Sequence, residues 1–406
     1  MRNPLQFLVK VTTAAALFLG LAFGGEWQGK GISAQNNDRK WRLWTEGVKL
    51  RGANIWLTHV KNNRAVSVTP RYIRDDFRKL RELGANYVNI SHPGIYDEKE
   101  DDGDYQRNEN LVKSLEDLVD ACQQEHLFVV ISIRTGPKRN EKKVFVDDDE
   151  SPLWKDSRAQ TAWGRMWRDI ALKFKEKPNV VGYDLMVEPE TSNGEKWNRL
   201  AANLVLAIRS ENGAGDKKTP ILIGAPDMSG ASYLEKLDLN IIDPNRDQKI
   251  VYTVHQYEPY SYAQQSEGAM TYDCDTGEID LEKEKLNYRP YRGSNNEGML
   301  LEQYRKIKEW RDRNNVPVAV NEFGVIRWAG SATDPDGEEF LEHEFEQLEA
   351  KGLNYAIWKW DPATCLGDND YNFRHGQNIN GQSDVPNLLV DVIHRYFTTN
   401  PDPVRP

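Results

Sequence analysis

At 406 residues the chain is long enough for a large core, and it fits one barrel-type domain as well as two smaller ones. A net charge of -10 leaves no basic surplus to neutralise phosphates, which excludes a nucleic-acid partner held by charge. Three cysteines are too few for a disulfide framework, while twelve tryptophans and seventeen tyrosines offer rings suited both to core packing and to stacking on sugar faces.

Residues 1–34 read as a secretory signal peptide or, if retained, an N-terminal anchor. Arg2 and Lys10 accompany an apolar, small-residue-rich run over 11–25 that is short for a membrane span, and Ile32-Ser33-Ala34 supplies small residues for cleavage. Export to a periplasm or the extracellular space follows, with no stable membrane span after cleavage. Residues 35–46 read as a flexible lead-in, so the folded domain is expected over 47–400.

From there strand and helix signals alternate. A strand-like run at 48–56 precedes a helix over 71–83, with Ile73, Phe77 and Leu80 on one face and Gly84 closing it. A strand at 86–91 leads through a hydrophilic loop to a helix striped by Leu111, Leu115, Leu118, Val119 and Cys122, which makes Cys122 a core residue. Residues 127–133 are a buried strand. A long charged loop then reaches the helix of Trp163, Trp167 and Ile170, which Lys177-Pro178 ends. The apolar run 179–187 stops on Glu188-Pro189, and the helix of Leu200, Leu204 and Ile208 follows.

Strands at 220–224 and 249–255 come next, with the weakest helix signal between them. A long tyrosine-rich loop separates His255 from the helix of Leu300, Tyr304 and Ile307. A strand ending at Asn321-Glu322, a helix with Leu341, Phe345 and Leu348, a strand at 354–358 and a last helix near 388–396 complete the pass. Eight strand signals alternating with helices are the sequence form of α/β architecture, here a single (β/α)8 TIM barrel with long strand-3 and strand-6 loops.

In such a barrel the active site lies at the C-terminal ends of the strands. Glu188 and Glu322 each close a buried apolar run, so two strands deliver one carboxylate each to the same rim. A retaining glycosidase needs that arrangement, with carboxyls about 5–5.5 Å apart sharing acid/base and nucleophile duties. Asn54, Trp56, His92, Arg134, His255, Tyr257, Trp358 and Trp360 also fall at strand ends and form a sugar-binding inventory. The seven histidines show no HxH or HExxH spacing, and the acidic clusters at 97–104 and 147–150 lack the alternation of an EF-hand. We expect no metal and no cofactor.

These motifs resemble glycoside hydrolase family 5, a cellulase-like family of the retaining (β/α)8 clan, over roughly residues 47–396. Tyr183-Asp184-Leu185-Met186-Val187-Glu188-Pro189 is similar to the family's strand-4 pattern ending in Asn-Glu-Pro, and Val320-Asn321-Glu322-Phe323-Gly324 to its strand-7 pattern. His255-Gln256-Tyr257 resembles its strand-6 His-x-Tyr, and Trp358 its strand-8 tryptophan. The resemblance implies Glu188 as acid/base, Glu322 as nucleophile, Tyr257 as a hydrogen-bond donor to Glu322, His255 as orienting Glu188 or substrate, and Trp358 as the floor beneath the sugar. Three positions depart from the family: Val187 replaces an asparagine that contacts the sugar 2-hydroxyl, Asn89 stands where an arginine is usual, and Arg134 where a histidine is usual. Arg134 supporting Glu322 from another strand, with Asn89 taking a polar contact, is one compensation.

The expected function is therefore hydrolysis of a β-linked glycan, of β-glucan or β-mannan class, by double displacement in a divergent member of that family, with the protein a monomer. A non-catalytic carbohydrate-binding or cell-envelope protein built on the same barrel is the alternative, favoured by Val187, Asn89 and Arg134.

Overall fold

The computed structural model describes residues 39–62, 65–69, 71–98, 104–139, 151–264, 290–292, 295–326, 336–362, 371–374, 388–400 and 403–406. They belong to one compact unit, Asp38–Pro406. The barrel strands are β1 (Arg51–Trp56), β2 (Tyr87–His92), β3 (Phe128–Ile133), β4 (Val180–Asp184), β5 (Ile221–Gly224), β6 (Ile250–Gln256), β7 (Val318–Phe323) and β8 (Asn354–Ile357). All pair in parallel with their sequence neighbours, and β1 pairs with β8 to close the barrel. This is the (β/α)8 barrel expected from the alternating pattern. The strands read as continuous apolar runs because helices cover one face and the barrel interior the other.

The interior is filled from the N-terminal end by Tyr87, Phe128, Val130, Val181, Leu222, Val251, Ala319 and Ala356. Strand β1 approaches β2 so closely that a Cβ on Gly52 would stand 1.9 Å from the Tyr87 carbonyl oxygen, so only glycine fits there.

The described part of the lead-in expected to be flexible, residues 39–46, is ordered. Arg39–Thr45 is a helix, and its buried Leu43 and Trp44 join the interior cluster from below, with Trp44 Nε1 donating to the Val181 carbonyl at 2.9 Å. The open bottom of a barrel exposes apolar side chains, and this helix covers them. The domain also runs past residue 400: Val404 packs on the same cluster and Arg405 donates to the Ala85 carbonyl at 2.7 Å.

Two hairpins sit in the connections after β1 and β2, Thr58–Asn62 with Ala65–Thr69 and Tyr96–Glu98 with Tyr105–Arg107. The second occupies the stretch read as a hydrophilic loop. The helix expected over 71–83 is Arg74–Glu82, because Asp76 accepts from the Ile73 backbone N–H at 2.8 Å and makes Ile73 the N-cap. Ile73 is consequently exposed instead of lying on the buried face. After β5 a short 3-10 turn, Ala231–Lys236, and a one-turn helix, Leu239–Ile242, stand where the helix signal was weakest.

Cys122 is a buried free thiol; Cys274 and Cys365 lie outside the described residues, as does the signal-like stretch 1–34. Among the described residues no helix is long and apolar enough to cross a membrane.

Candidate active site

The ladder of β4 stops at Asp184, four residues earlier than the run ending in Glu188 implied. The chain nevertheless continues along the rim, with the Leu185 N–H on the Leu222 carbonyl at 3.1 Å and the Val187 N–H on the Ile133 carbonyl at 3.0 Å. Glu188 follows with φ 51°, a left-handed backbone that a non-glycine residue adopts only when its surroundings impose it. From β7 comes Glu322, buried in the ladder itself. Pairing between β6 and β7 slips by one residue after Val254, which sets His255 opposite Glu322.

These elements bring five polar side chains to one point. His255 Nδ1 lies 2.7 Å from Glu188 Oε1 and 3.3 Å from Glu322 Oε2. Ligand-type atoms of Glu188, His255 and Glu322 all fall within 4.8 Å of one another. Tyr257 donates its hydroxyl to Glu322 Oε2 at 3.3 Å. Arg134, just past β3, is ion-paired with Glu322, and its Nη1 is 3.8 Å from Glu188 Oε2. The same guanidinium lies 4.4 Å above the Trp358 ring, which also packs on Trp56 at 5.9 Å between centroids and carries Lys359 Nζ at 5.8 Å. Glu188, His255 and Glu322 are close enough to share a cation, but the guanidinium already supplies positive charge there.

Burial pushes the Glu188 carboxyl up, yet the hydrogen bond and charge of His255 with the charges of Arg134 and Arg139 outweigh it, so its pKa sits below the ordinary glutamate value. Burial lowers the His255 pKa, with Arg134 acting in the same direction and Glu188 opposing, so the imidazole is neutral near pH 7. Beside an ionised Glu188 a neutral ring donates from Nδ1 to that carboxylate.

Of the residues expected here, Glu188, Glu322, His255, Tyr257, Arg134, Trp358 and Trp56 are brought together. Asn54 is not. Its amide is buried beneath the site and donates to the carbonyls of Asn321 at 2.9 Å and Ala356 at 3.0 Å, because the two adjacent strand backbones need a donor where their ladders diverge. Asn89 takes its polar contact there too, donating to Asn54 Oδ1 at 2.7 Å and accepting from Ser132, away from the carboxylates. Trp360 is buried away from the two carboxylates' contacts: its indole donates to the Asp76 carbonyl at 3.1 Å and packs on Phe373, which braces the helix Arg74–Glu82. His92 ends β2 fully enclosed, and its carbonyl accepts from the Arg134 N–H at 3.1 Å.

Sequence reading missed Arg139 and Glu190. The Arg139 side chain is buried, pairs with Glu190 at 2.7 Å and donates to the carbonyls of Arg134, Val187 and Glu188. The doubled acid in Glu188-Pro189-Glu190 and the Gly136-Pro137 turn before Arg139 were the only signals, and each alone reads as loop chemistry.

Comparison with known proteins agrees with this geometry. The cellulase family (glycosyl hydrolase family 5) matches residues 45–364. Endoglucanase C of Acetivibrio thermocellus is 24% identical over 301 residues, covering 70% of this chain and 82% of that protein. Endoglucanase 3 of Fibrobacter succinogenes is 28% identical over 191 residues, 41% of this chain, and the chain spans only 28% of its length. Among solved structures, Cel5A of Thermotoga maritima in complex with cellobiose superposes with a TM-score of 0.64 at 19% identity, covering 87% of this chain and 99% of that one. Its complex with mannotriose gives 0.63 at 19% identity, covering 85% and 97%. At that identity the structural likeness speaks for the fold, and the family match, which spans most of the sequence, carries the assignment: the chain belongs to the cellulase family, glycosyl hydrolase family 5.

Proposed function

We propose that the protein hydrolyses β-linked glucan or mannan with retention of anomeric configuration, using Glu322 as nucleophile and Glu188 as acid/base. The observation that carries this reading is the approach of the two carboxyls, whose nearest oxygens lie within 4.8 Å. Retaining enzymes place their carboxyls about 5–5.5 Å apart, whereas inverting ones leave about 6.5–9.5 Å for a water. Glu322 attacks the anomeric carbon while Glu188 gives its proton to the departing glycosidic oxygen. Glu188, now a carboxylate, then takes a proton from water as that water displaces Glu322.

Arg134 pairs with Glu322 and aims its carboxyl, a task that suits a guanidinium because it stays charged at any working pH. Tyr257 adds a second donor to the same carboxylate, and His255 bridges the pair. Trp358 with Trp56 forms the aromatic wall against which a sugar face packs. Glucan and mannan are the substrate classes because the relatives are endoglucanases and the Thermotoga Cel5A structures hold cellobiose and mannotriose. We place 1–34 as an export signal, on its basic residues and apolar run, and the mature protein outside the cytoplasm as a monomer.

The test is purified protein on soluble β-glucan, β-mannan and aryl β-glycosides, with the anomer released first followed by proton NMR. Retained β-anomer is expected. Inverted product overturns the double displacement, and glycan binding without cleavage would establish a carbohydrate-binding barrel instead.

A further inference from the structure

The two carboxylates are held from different elements, yet one buried side chain touches both the backbone that carries Glu188 and the backbone of Arg134, the ion-pair partner of Glu322. Arg139 follows β3 on a tight turn in which the Gly136 and Arg139 backbones bond each other at 3.1 and 2.9 Å. The turn is pressed against Trp163, whose indole donates to the Pro137 carbonyl at 3.0 Å, and a Cβ on Gly136 would fall 2.6 Å from that ring. The turn position and the direction of the Arg139 side chain are thus set by packing.

From there the guanidinium spreads its donors. Nε pairs with Glu190 Oε2 at 2.7 Å, Nη1 donates to the Arg134 carbonyl, and Nη2 donates to the carbonyls of Val187 at 2.9 Å and Glu188 at 2.8 Å. Glu190 is itself anchored, its second oxygen accepting from Trp154 Nε1 at 3.1 Å. Four of the five guanidinium N–H groups are used by this set. The carbonyls at 187 and 188 lie past the end of β4, and buried carbonyls without a donor are costly. Glu188 also holds its left-handed φ of 51° at this point.

We propose that Arg139 is a positioning residue for the acid/base step: by gripping the carbonyls of Val187 and Glu188 while holding that of Arg134, it fixes the place of the Glu188 carboxyl relative to the Arg134–Glu322 pair. This rests on the hydrolase reading above. A displacement near 1 Å of a reacting group costs on the order of 100-fold in rate, so the grip matters to chemistry and not only to folding. The Arg139 charge also contributes to holding the Glu188 pKa down. Lysine keeps the charge but presents its donors from one atom, and cannot serve four separated acceptors.

The experiment compares Arg139→Lys and Arg139→Met in the full chain on the glycan that wild type cleaves best and on the matching dinitrophenyl β-glycoside, whose leaving group needs no proton. A misplaced acid should cost roughly 10- to 100-fold in kcat/KM on the glycan and several-fold less on the dinitrophenyl substrate, with Arg139→Lys the milder variant. Equal losses on both substrates, or no loss in Arg139→Lys, would overturn the proposal in favour of a purely structural role. If Arg139→Met does not fold, Arg139→Lys makes the same comparison. A folded wild type that cleaves neither substrate sinks the hydrolase reading alone. In that case the carbon-13 titration of the Glu188 carboxyl decides, since it needs no turnover: a midpoint displaced in both variants supports the grip, and unchanged midpoints overturn it.

Discussion

Glu188 and Asp184 lie four residues apart on one stretch of chain, both buried, and their carboxyls are driven in opposite directions. Glu188 faces His255, Arg134 and the charge of Arg139, and its pKa falls despite burial. Asp184 points into the barrel beneath the site, where its contacts are neutral: Asn321 Nδ2 at 2.9 Å and the Ser132 hydroxyl at 3.2 Å. Burial dominates there and raises its pKa to about 7, although those two contacts and the more distant Arg134 and Arg139 all pull it down. Neutral donors stabilise a carboxylate less than a charge in direct contact does, and they do not repay the loss of water. Asp184 Oδ1 and Asn321 Oδ1 both lack a hydrogen-bond partner among the described residues. The rim surrounds its carboxyls with charged partners, and the layer below surrounds Asp184 with neutral ones.

The severest break is Glu322→Gln. An amide is no nucleophile, so turnover should fall on the order of ten-thousand-fold or more while glycan binding survives, as kinetics and calorimetry on one preparation would establish. Near-normal turnover would remove Glu322 from the mechanism.

Next in size is Arg134→Met, which makes the rim resemble the layer below it. Loss of the Glu322 partner should cost roughly 100-fold in kcat/KM. The first step needs Glu188 protonated, so kcat/KM declines as pH rises through the Glu188 pKa in the free enzyme. That pKa is held low in wild type, which places the decline on the acidic side. Removing a cation raises it, so the alkaline limb of the profile should move to higher pH. A limb that stays or moves down would show that Arg134 does not set the charge of Glu188.

Val187 separates the two regions and brings no hydrogen bond to the sugar. Val187→Asn should raise the rate about tenfold if the missing 2-hydroxyl contact limits catalysis, a conservative share of what one transition-state donor is worth. A lower rate would mean a pocket built around valine.

The smallest effect on rate belongs to Asp184→Asn, and its signature is in stability. A carboxyl with a folded pKa raised to about 7 and an unfolded value near 4 contributes stability fully below pH 4, and that contribution is lost as pH rises to about 7. The asparagine variant should be free of this loss, so its unfolding free energy relative to wild type, read from denaturant melts at each pH, should climb between pH 4 and 8 by at most about 4 kcal/mol. A constant difference across that range would refute the proton on Asp184.

Much of this molecule was legible before any coordinates. Strand number and order, the barrel, and the placement of Glu188, Glu322, His255, Tyr257 and Trp358 follow from apolar runs broken by polar residues, because strands buried on both faces admit few other patterns. What reads as a local signal is decided locally. The remainder depends on partners distant in sequence. Leu43 and Trp44 look like part of a loose leader until a barrel floor is present to receive them, and Asn54 looks like a ligand to sugar until the diverging strand backbones claim its amide. The one-residue slip that sets His255 against Glu322, and the turn on Trp163 that delivers Arg139 to three carbonyls, exist only in the closed barrel. Sequence pattern determined which residues would be buried and at which rim the carboxylates would stand. Tertiary structure decided which charge faces which, because pairing energies at a few ångströms depend on distances that no residue sets alone.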